Sequence, residues 1–209
     1  MTHRAASRVL VAVAAVVIAA IMVLSYAAYY RGLGPGGGTV SPPTTSLISS
    51  YLGGNWYLEA DRSFVATFNI HNRSVELSFL NGSSFTYSIN GTYGKEFEMA
   101  GPGGGPLGGL PYWVRVYTFQ GQGAYLVFEI FKANSTQLQW MLESLESKFG
   151  PPAESDGVKY YVESPYAPLV KITYVYAVYG SYLVILGSNT TSSGFLLAEL
   201  AVRYALTLP

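Results

Sequence analysis

Residues 112–131, YWVRVYTFQGQGAYLVFEIF, are the stretch that decides how this chain folds. Tyr112 to Phe119 and Ala124 to Phe131 are both rich in aromatic and β-branched residues, which favour β-strands. Gly121 to Gly123 lies between them and supplies the backbone freedom that a tight turn needs. The stretch therefore predicts an antiparallel hairpin.

The order of elements around this hairpin recurs later in the chain. Asn134-Ser135-Thr136 begins a predicted helix that Gly150 and Pro151 end, because Gly and Pro stop helices. A second hairpin, residues 169–186 with its turn at Gly180, precedes a second helix that starts near residues 189–191 and ends at Leu208-Pro209. The hairpins also match in sequence, since residues 123–127 (GAYLV) recur as residues 180–184 (GSYLV).

A further strand precedes each of these hairpins, Lys95 to Met99 in the first case and Val158 to Glu163 in the second. Two copies of a strand-strand-strand-helix unit, about residues 92–150 and 157–209, are therefore predicted as an internal duplication. A meander of three strands lies upstream, at residues 64–70, 75–79 and 85–89, where apolar residues alternate with polar ones. Its turns fall at residues 71–73 and at Asn81-Gly82, and a short helix at residues 46–52 precedes it.

The helices and one strand indicate which faces are buried. The first helix is amphipathic, with an apolar face of Leu138, Met141, Leu142, Leu145 and Phe149. In the second helix only Glu199 and Arg203 interrupt the apolar surface, and their spacing predicts an ion pair within the helix. The strand at 169–179 is apolar on both sides, which is typical of a central strand with both faces covered. The fold class predicted is α+β, a mainly antiparallel sheet with two packed helices.

The first thirty residues predict a membrane segment. Every residue from Val9 to Leu24 is apolar, and the run continues to Tyr30, which is long enough to cross a bilayer once. Arg4 and Arg8 precede the run, so the amino terminus is expected in the cytoplasm and the rest of the chain outside. Residues 1–30 are then the anchor, residues 31–45 a Gly/Pro-rich tether, and residues 46–209 the exported domain.

Two other interpretations of the apolar segment stay open. It could be a cleaved signal peptide, since residues 25–27 (SYA) place small residues at the spacing that a signal peptidase reads, and the domain would then be secreted. It could also belong to a pilin-like precursor cut near Arg4-Ala5, so that the apolar helix becomes a filament core. The first interpretation, a single-pass plasma-membrane protein with its C-terminal domain outside, is the one we favour.

Potential glycosylation sites support export independently. Five of the seven asparagines begin Asn-x-Ser/Thr, more than the use of Ser and Thr would give by chance, and all five lie beyond Arg31. Hairpin turns favour some of the same residues, but a turn and a glycan are compatible because both need an exposed loop. The candidate glycosylation sites are Asn72, Asn81, Asn90, Asn134 and Asn189.

Composition excludes several kinds of chemistry. The 209 residues contain no cysteine, two histidines and equal numbers of basic and acidic residues, so disulfides, thiolate catalysis and cysteine-bound metals are absent. A neutral chain lacks the basic face that a nucleic-acid-binding protein needs. The glycine-rich run at residues 101–111 lacks the Gly-Lys-Ser/Thr ending of a nucleotide-binding loop. No metal, cofactor, nucleotide or nucleic acid is therefore predicted.

Carboxylate pairs are the remaining catalytic candidates. Glu96 and Glu98 share one face of a predicted strand, and the pairs 143/146 and 154/156 could also serve as acid and base. Nothing in the sequence shields or perturbs these carboxylates, so solvated surface charge is the better explanation of each pair. His71 falls in a predicted turn, and a Ser144/Lys148 dyad would lie on an exposed helix face where the lysine keeps its proton. The sequence therefore favours a protein that is not an enzyme.

Tyrosine is the more informative residue, with 18 copies. Its ring and hydroxyl suit partly hydrated contacts, although strands also favour it. We expect a membrane-anchored binding or scaffold protein, an accessory subunit of a membrane or cell-surface complex, with a protein partner or a second copy of the chain. The alternatives are a pilin-like structural protein and an extracytoplasmic carboxylate-dependent hydrolase. The candidate binding surface is Tyr160, Tyr161, Tyr166, Tyr174 and Tyr176.

Overall fold

A computed structural model of the chain describes residues 40–69, 74–88, 113–132, 135–163 and 172–209. Among these residues no helix combines the length and apolar character needed to cross a bilayer. The predicted membrane segment, residues 9–30, and the predicted strand at 95–99 lie outside the described residues.

The described chain is of the α+β type, with one antiparallel sheet and three helices. The helices are α1 (Thr45–Leu52), α2 (Ser135–Phe149) and α3 (Gly194–Ala205). The strands are β1 (Tyr57–Leu58), β2 (Phe64–Asn69), β3 (Ser74–Phe79), β4 (Ser84–Ser88), β5 (Trp113–Gly121), β6 (Ala124–Lys132), β7 (Ala153–Ser155), β8 (Val158–Glu163), β9 (Thr173–Tyr179) and β10 (Tyr182–Ser188). The predicted antiparallel sheet with packed helices is confirmed at this level, and α1 is a third packed helix.

The two predicted hairpins meet at the centre of the sheet. The strand order is β4-β3-β2-β5-β6-β10-β9-β8-β7, and β1 pairs with the end of β5 beyond β2. Strands β6 and β10 pair in antiparallel register, with Phe128 opposite Leu186 and Glu129 opposite Ile185. Strand β9 lies between β10 and β8, as its two apolar sides predicted.

The sheet carries helices on both faces, and we name the faces by those helices. The α3 face holds the larger core, in which Ile48 of α1 and Leu200 of α3 pack on Phe128 and Leu186 of the central strands. The α2 face holds a smaller core, in which Leu138 and Met141 belong to one cluster with residues of β2, β5, β6, β9 and β10. The apolar face predicted for α2 is the face that lies in this core.

Some details differ from the sequence predictions. Arg203 lies 3.7 Å from Asp156 rather than being paired with Glu199, because the β7–β8 turn reaches the exposed side of α3. Val40, which the sequence placed in the tether, is buried in the domain core. Leu126 and Leu183, equivalent in the repeated hairpins, lie on opposite faces of the sheet. The internal duplication stays a prediction.

Two strands were not predicted. Strand β1 has only two residues, too short for a periodic signal. Strand β7 pairs with β8 through a turn at Asp156-Gly157, where both residues have positive φ. Asp-Gly is a favoured pair for such two-residue turns, so this hairpin did have a readable signal.

Candidate functional site

Val40 and Ser41, which we call the root, are the first described residues of the domain, and three side chains hold them. The carbonyl oxygen of Val40 accepts hydrogen bonds from Nη1 of Arg115, at 2.9 Å, and from the hydroxyl of Tyr117, at 2.5 Å. The carbonyl oxygen of Ser41 accepts a hydrogen bond from the hydroxyl of Tyr204, at 2.9 Å. Arg115 and Tyr117 are two residues apart on β5, so they share one face of the sheet.

The donors to the root are themselves set in the core. Tyr204, near the end of α3, is 2% exposed, and its ring packs edge-on against Phe128 at 5.3 Å between centroids. Burial raises the pKa of Tyr204, so its hydroxyl keeps its proton and remains a donor. The root is therefore joined both to β5, inside the sheet, and to α3.

A cavity of ≈240 Å³ lies beside the root. Proline and aliphatic side chains form much of its wall, together with four hydroxyl side chains, and no charged side chain lines it. The lining residues are Val40, Ser41, Pro42, Pro43, Thr44, Leu47, Tyr204, Thr207, Leu208 and Pro209. The cavity places the two ends of the described chain side by side.

The α2 face contains a buried carboxyl group. Glu129 of β6 is 2% exposed, and the residues opposite it on the neighbouring strands are Val116 and Ile185. Its Oε2 atom has no hydrogen-bond partner among the residues that the structure describes. Burial raises the pKa of Glu129 from 4.5 to about 8, since an apolar surrounding disfavours the charged form.

Tyrosines and a surface ion pair continue this polar region toward β8. The hydroxyl of Tyr176 donates to Oε2 of Glu163 at 2.8 Å, and Nζ of Lys148 donates to Oε1 of the same carboxylate at 2.9 Å. Burial, the hydrogen bond to Glu163 and nearby negative charge raise the pKa of Tyr176. Burial together with the charges of Glu129 and Glu163 raises the pKa of Tyr174 to about 12.

Gly187 makes room for one of these rings. A Cβ atom on Gly187 would lie 3.2 Å from Cε1 of Tyr174, so the tyrosine ring covers the place where a side chain of β10 would stand. Phe149 closes the outer end of the same region, with ring centroids 5.7 Å from Tyr176 and 6.0 Å from Tyr161. We call Glu129, Glu163, Lys148, Tyr174 and Tyr176 the carboxylate–tyrosine cluster.

The five tyrosines predicted as a binding surface do not share one face. Tyr161, Tyr174 and Tyr176 lie on the α2 face, whereas Tyr160 packs against the core of the α3 face. Tyr166 lies outside the described residues. The hydroxyl of Tyr161 is buried and has no partner within the described chain. Three of the five are therefore brought together, and the binding surface itself stays a prediction.

Two of the predicted glycosylation sites can be placed. Asn81 lies at the exposed β3–β4 turn, where its Oδ1 accepts hydrogen bonds from the amide, at 2.9 Å, and the hydroxyl, at 2.7 Å, of Ser83. Asn189 is also exposed, and its Oδ1 accepts a hydrogen bond from the amide of Tyr125 at 2.7 Å. The other three, Asn72, Asn90 and Asn134, lie outside the described residues.

The catalytic candidates from the sequence are dispersed or not described. Glu96, Glu98 and His71 lie outside the described residues. Glu143 and Glu146 are exposed on α2, and Lys148 is paired with Glu163 rather than with Ser144. In the described part of the chain, no group of three or more His, Asp or Glu side chains is arranged to hold a metal ion.

Sequence reasoning missed Glu129 and Arg115, the two charged residues that matter most for these sites. Each lies between apolar neighbours in a mostly apolar strand, and this pattern is visible in the sequence. Alternation predicts that a charged residue in such a strand points into one of the covered faces. The periodicity of β6 alone does not say whether a partner meets Glu129 there.

The chain matches no family model, and neither a curated protein nor a solved structure matches it. No family assignment therefore constrains its function.

Proposed function

We propose that this chain is a membrane-anchored extracytoplasmic binding or scaffold protein, an accessory subunit of a membrane or cell-surface complex. Residues 9–30 anchor it, the C-terminal domain lies outside the plasma membrane, and glycans on the sequon asparagines add solubility to a surface with few charges. Its partner is another protein or a second copy of this chain.

The root is the observation that carries this proposal. Residues 31–39 separate the apolar segment from Val40 and reach at most ~30 Å when fully extended. Three hydrogen bonds from β5 and α3 then fix the point at which the tether joins the domain. A scaffold subunit needs a limited height and a defined attachment point, because it must present one surface to its neighbours in the membrane.

Topology is tested first. Because the chain contains no cysteine, any label can be assigned to the thiol that is introduced. Ser7→Cys and Ser147→Cys each introduce a single thiol, one before the apolar segment and one on the exposed side of α2. On intact cells, a membrane-impermeant maleimide should label Ser147→Cys and not Ser7→Cys, while the wild-type chain stays unlabelled. Labelling of Ser7→Cys alone would contradict the proposed orientation, and recovery of the chain only in the soluble fraction would contradict the anchor.

The accessory-subunit role is tested by isolating the detergent-solubilised full chain after cross-linking in the membrane. Stable integral-membrane partners, or a cross-linked second copy, are expected. The double variant Tyr117→Phe/Tyr204→Phe removes two of the three hydrogen bonds that hold the root, and it should remain in the membrane but recover less partner than wild type. Recovery of the chain alone in both cases would contradict this role.

Two measurements separate the alternatives. Amino-terminal sequencing of the mature chain that finds a start immediately before the apolar run would favour the pilin-like filament, and an intact Met1 or Thr2 would remove it. For a carboxylate-dependent hydrolase, Glu96→Ala and Glu98→Ala should abolish any hydrolytic activity of the full chain, whereas unchanged activity would exclude these residues.

A further inference from the structure

Helix α2 is held to the sheet by a small set of residues. Among its described side chains Leu138, Met141 and Leu145 are buried, while Leu142 and Phe149 are half-buried. Helix α3, by comparison, has seven buried residues in a helix three residues shorter. Counted over the described side chains, the contact between α2 and the sheet is therefore the smaller of the two helix–sheet contacts.

Glu129 lies in the sheet face that α2 covers, in a core made of apolar side chains. Its neighbours across β5 and β10 are Val116 and Ile185, and neither can accept or donate a hydrogen bond. A charged carboxylate without a partner is costly in such a place, whereas the neutral acid is tolerated. The protonation of Glu129 is therefore coupled to the docking of α2 on the sheet.

Among the residues that the structure describes, no cation on the surrounding elements offsets a charge on Glu129. Strand β9 contributes the hydroxyls of Tyr174 and Tyr176, and β8 contributes Glu163, a second negative group. Lys148 of α2 is engaged by Glu163 at 2.9 Å, and Lys159 of β8 is exposed. Within the described residues, no positive charge therefore compensates the ionised form of Glu129, and its Oε2 atom accepts no hydrogen bond.

We propose that α2 is a proton-controlled cover of this sheet face, docked while Glu129 carries a proton and released when Glu129 ionises. Release admits water to the carboxylate and restores its hydration. The docked chain then binds one more proton than the released chain over a range of pH, so rising pH favours release by linkage. The device is independent of the membrane topology and of any partner.

The range of the effect follows from the two states of the carboxyl group. Burial places the pKa of Glu129 at about 8 in the docked chain, while the released chain has the ordinary value of 4.5. Between these values the docking equilibrium constant should fall about tenfold per pH unit. Below pH 4.5 and above pH 8 both states hold the same number of protons on Glu129, so the constant is flat.

Hydrogen exchange of the full chain in detergent micelles tests the proposal. The exchange rates of the amides of α2 and of β10 are measured by mass spectrometry from pH 5 to 9. Protection is the intrinsic exchange rate divided by the measured rate. Protection of α2 should fall with pH in the wild-type chain while that of β10 stays constant. Glu129→Gln should abolish the fall, and Glu143→Gln, which removes an exposed carboxylate from α2 itself, should retain it.

A second measurement needs no variant and covers the case in which Glu129→Gln does not fold. Infrared spectra of the full chain, with carbon-13 in the glutamate carboxyl groups, report protonated glutamate directly. A protonated band should persist at pH 7 and disappear at higher pH, with a midpoint no higher than about pH 8, because release of α2 lowers the midpoint below the docked value. Absence of the band at pH 7, or α2 protection that is independent of pH in wild type, would overturn the proposal.

Discussion

The two faces of the sheet differ in how they are closed. The α3 face is covered by α1 and α3 over a continuous apolar core, and its buried hydroxyls donate to backbone carbonyls of the root. The α2 face has a smaller core that contains an ionisable group with an unsatisfied oxygen. The α3 face therefore supplies stability and attachment, whereas the stability of the α2 face depends on the protonation of its titratable group.

The largest expected effect concerns the pH dependence of the α2 face. The pKa of Glu129 is raised on folding, so the unfolded chain loses this proton first and stability decreases as pH rises from 4.5 to about 8. The free energy of unfolding of the full chain in detergent should fall by as much as ~5 kcal/mol over this range. Urea denaturation at several pH values measures it, and Glu129→Gln should give a flat curve. Equal slopes for the two chains would show that the carboxyl is solvated.

Truncation of matched leucines compares the packing of the two faces. Leu200→Ala on α3 removes a fully buried side chain and should destabilise the domain by about 3 kcal/mol. Leu142→Ala on α2 removes a half-buried one and should cost about 1 kcal/mol. Denaturant midpoints of the two variants give the comparison. Equal losses would mean that α2 is as firmly packed as α3.

A smaller effect is expected at the root. Tyr204→Phe removes the hydrogen bond to the carbonyl of Ser41 and should destabilise the domain by about 1 kcal/mol. Tyr57→Phe, on a ring that is 64% exposed, is the matched control and should be neutral. Limited proteolysis between residues 31 and 45 should also be faster in Tyr204→Phe. If both variants behave as wild type, the root is held by Arg115 and Tyr117 alone.

The smallest effect is expected at the surface of α3. Arg203→Gln removes an ion pair with Asp156 whose side chains are both exposed, and such pairs contribute only a few tenths of a kcal/mol. Thermal unfolding should therefore shift by about a degree or less. Glu199→Gln should have no larger effect, and a clear loss there would restore the helix-internal pair that the sequence predicted.

Much of the fold could be predicted from the sequence, because it depends on local periodicity. The alternation in β2 and β3, the two apolar sides of β9 and the apolar face of α2 predicted these elements and their buried sides close to where the structure has them. The sequence also contains the reason why the five tyrosines do not share one face. Neighbouring residues of a strand point to opposite faces, which separates Tyr160 from Tyr161. The partner of Arg203 was not readable, because it comes from a turn that is distant in sequence.

The candidate sites were less predictable than the fold. The hydrogen bonds to the root join residues separated by 75 to 163 positions, so no local pattern contains them. Glu129 could be noticed as a charge in an apolar strand, but its lack of a partner depends on which strands lie on either side of β6.

The sequence by itself determined the α+β class, the hairpins, the amphipathic helix and the chemistry that the composition excludes, because these depend on residue type and spacing along the chain. Only the three-dimensional packing brings β6 and β10 together at the centre, places α2 and α3 on opposite faces, and buries Oε2 of Glu129 without a hydrogen-bond partner among the described residues. These outcomes depend on contacts between distant segments, and burial in such contacts is what changes the protonation of a carboxyl group.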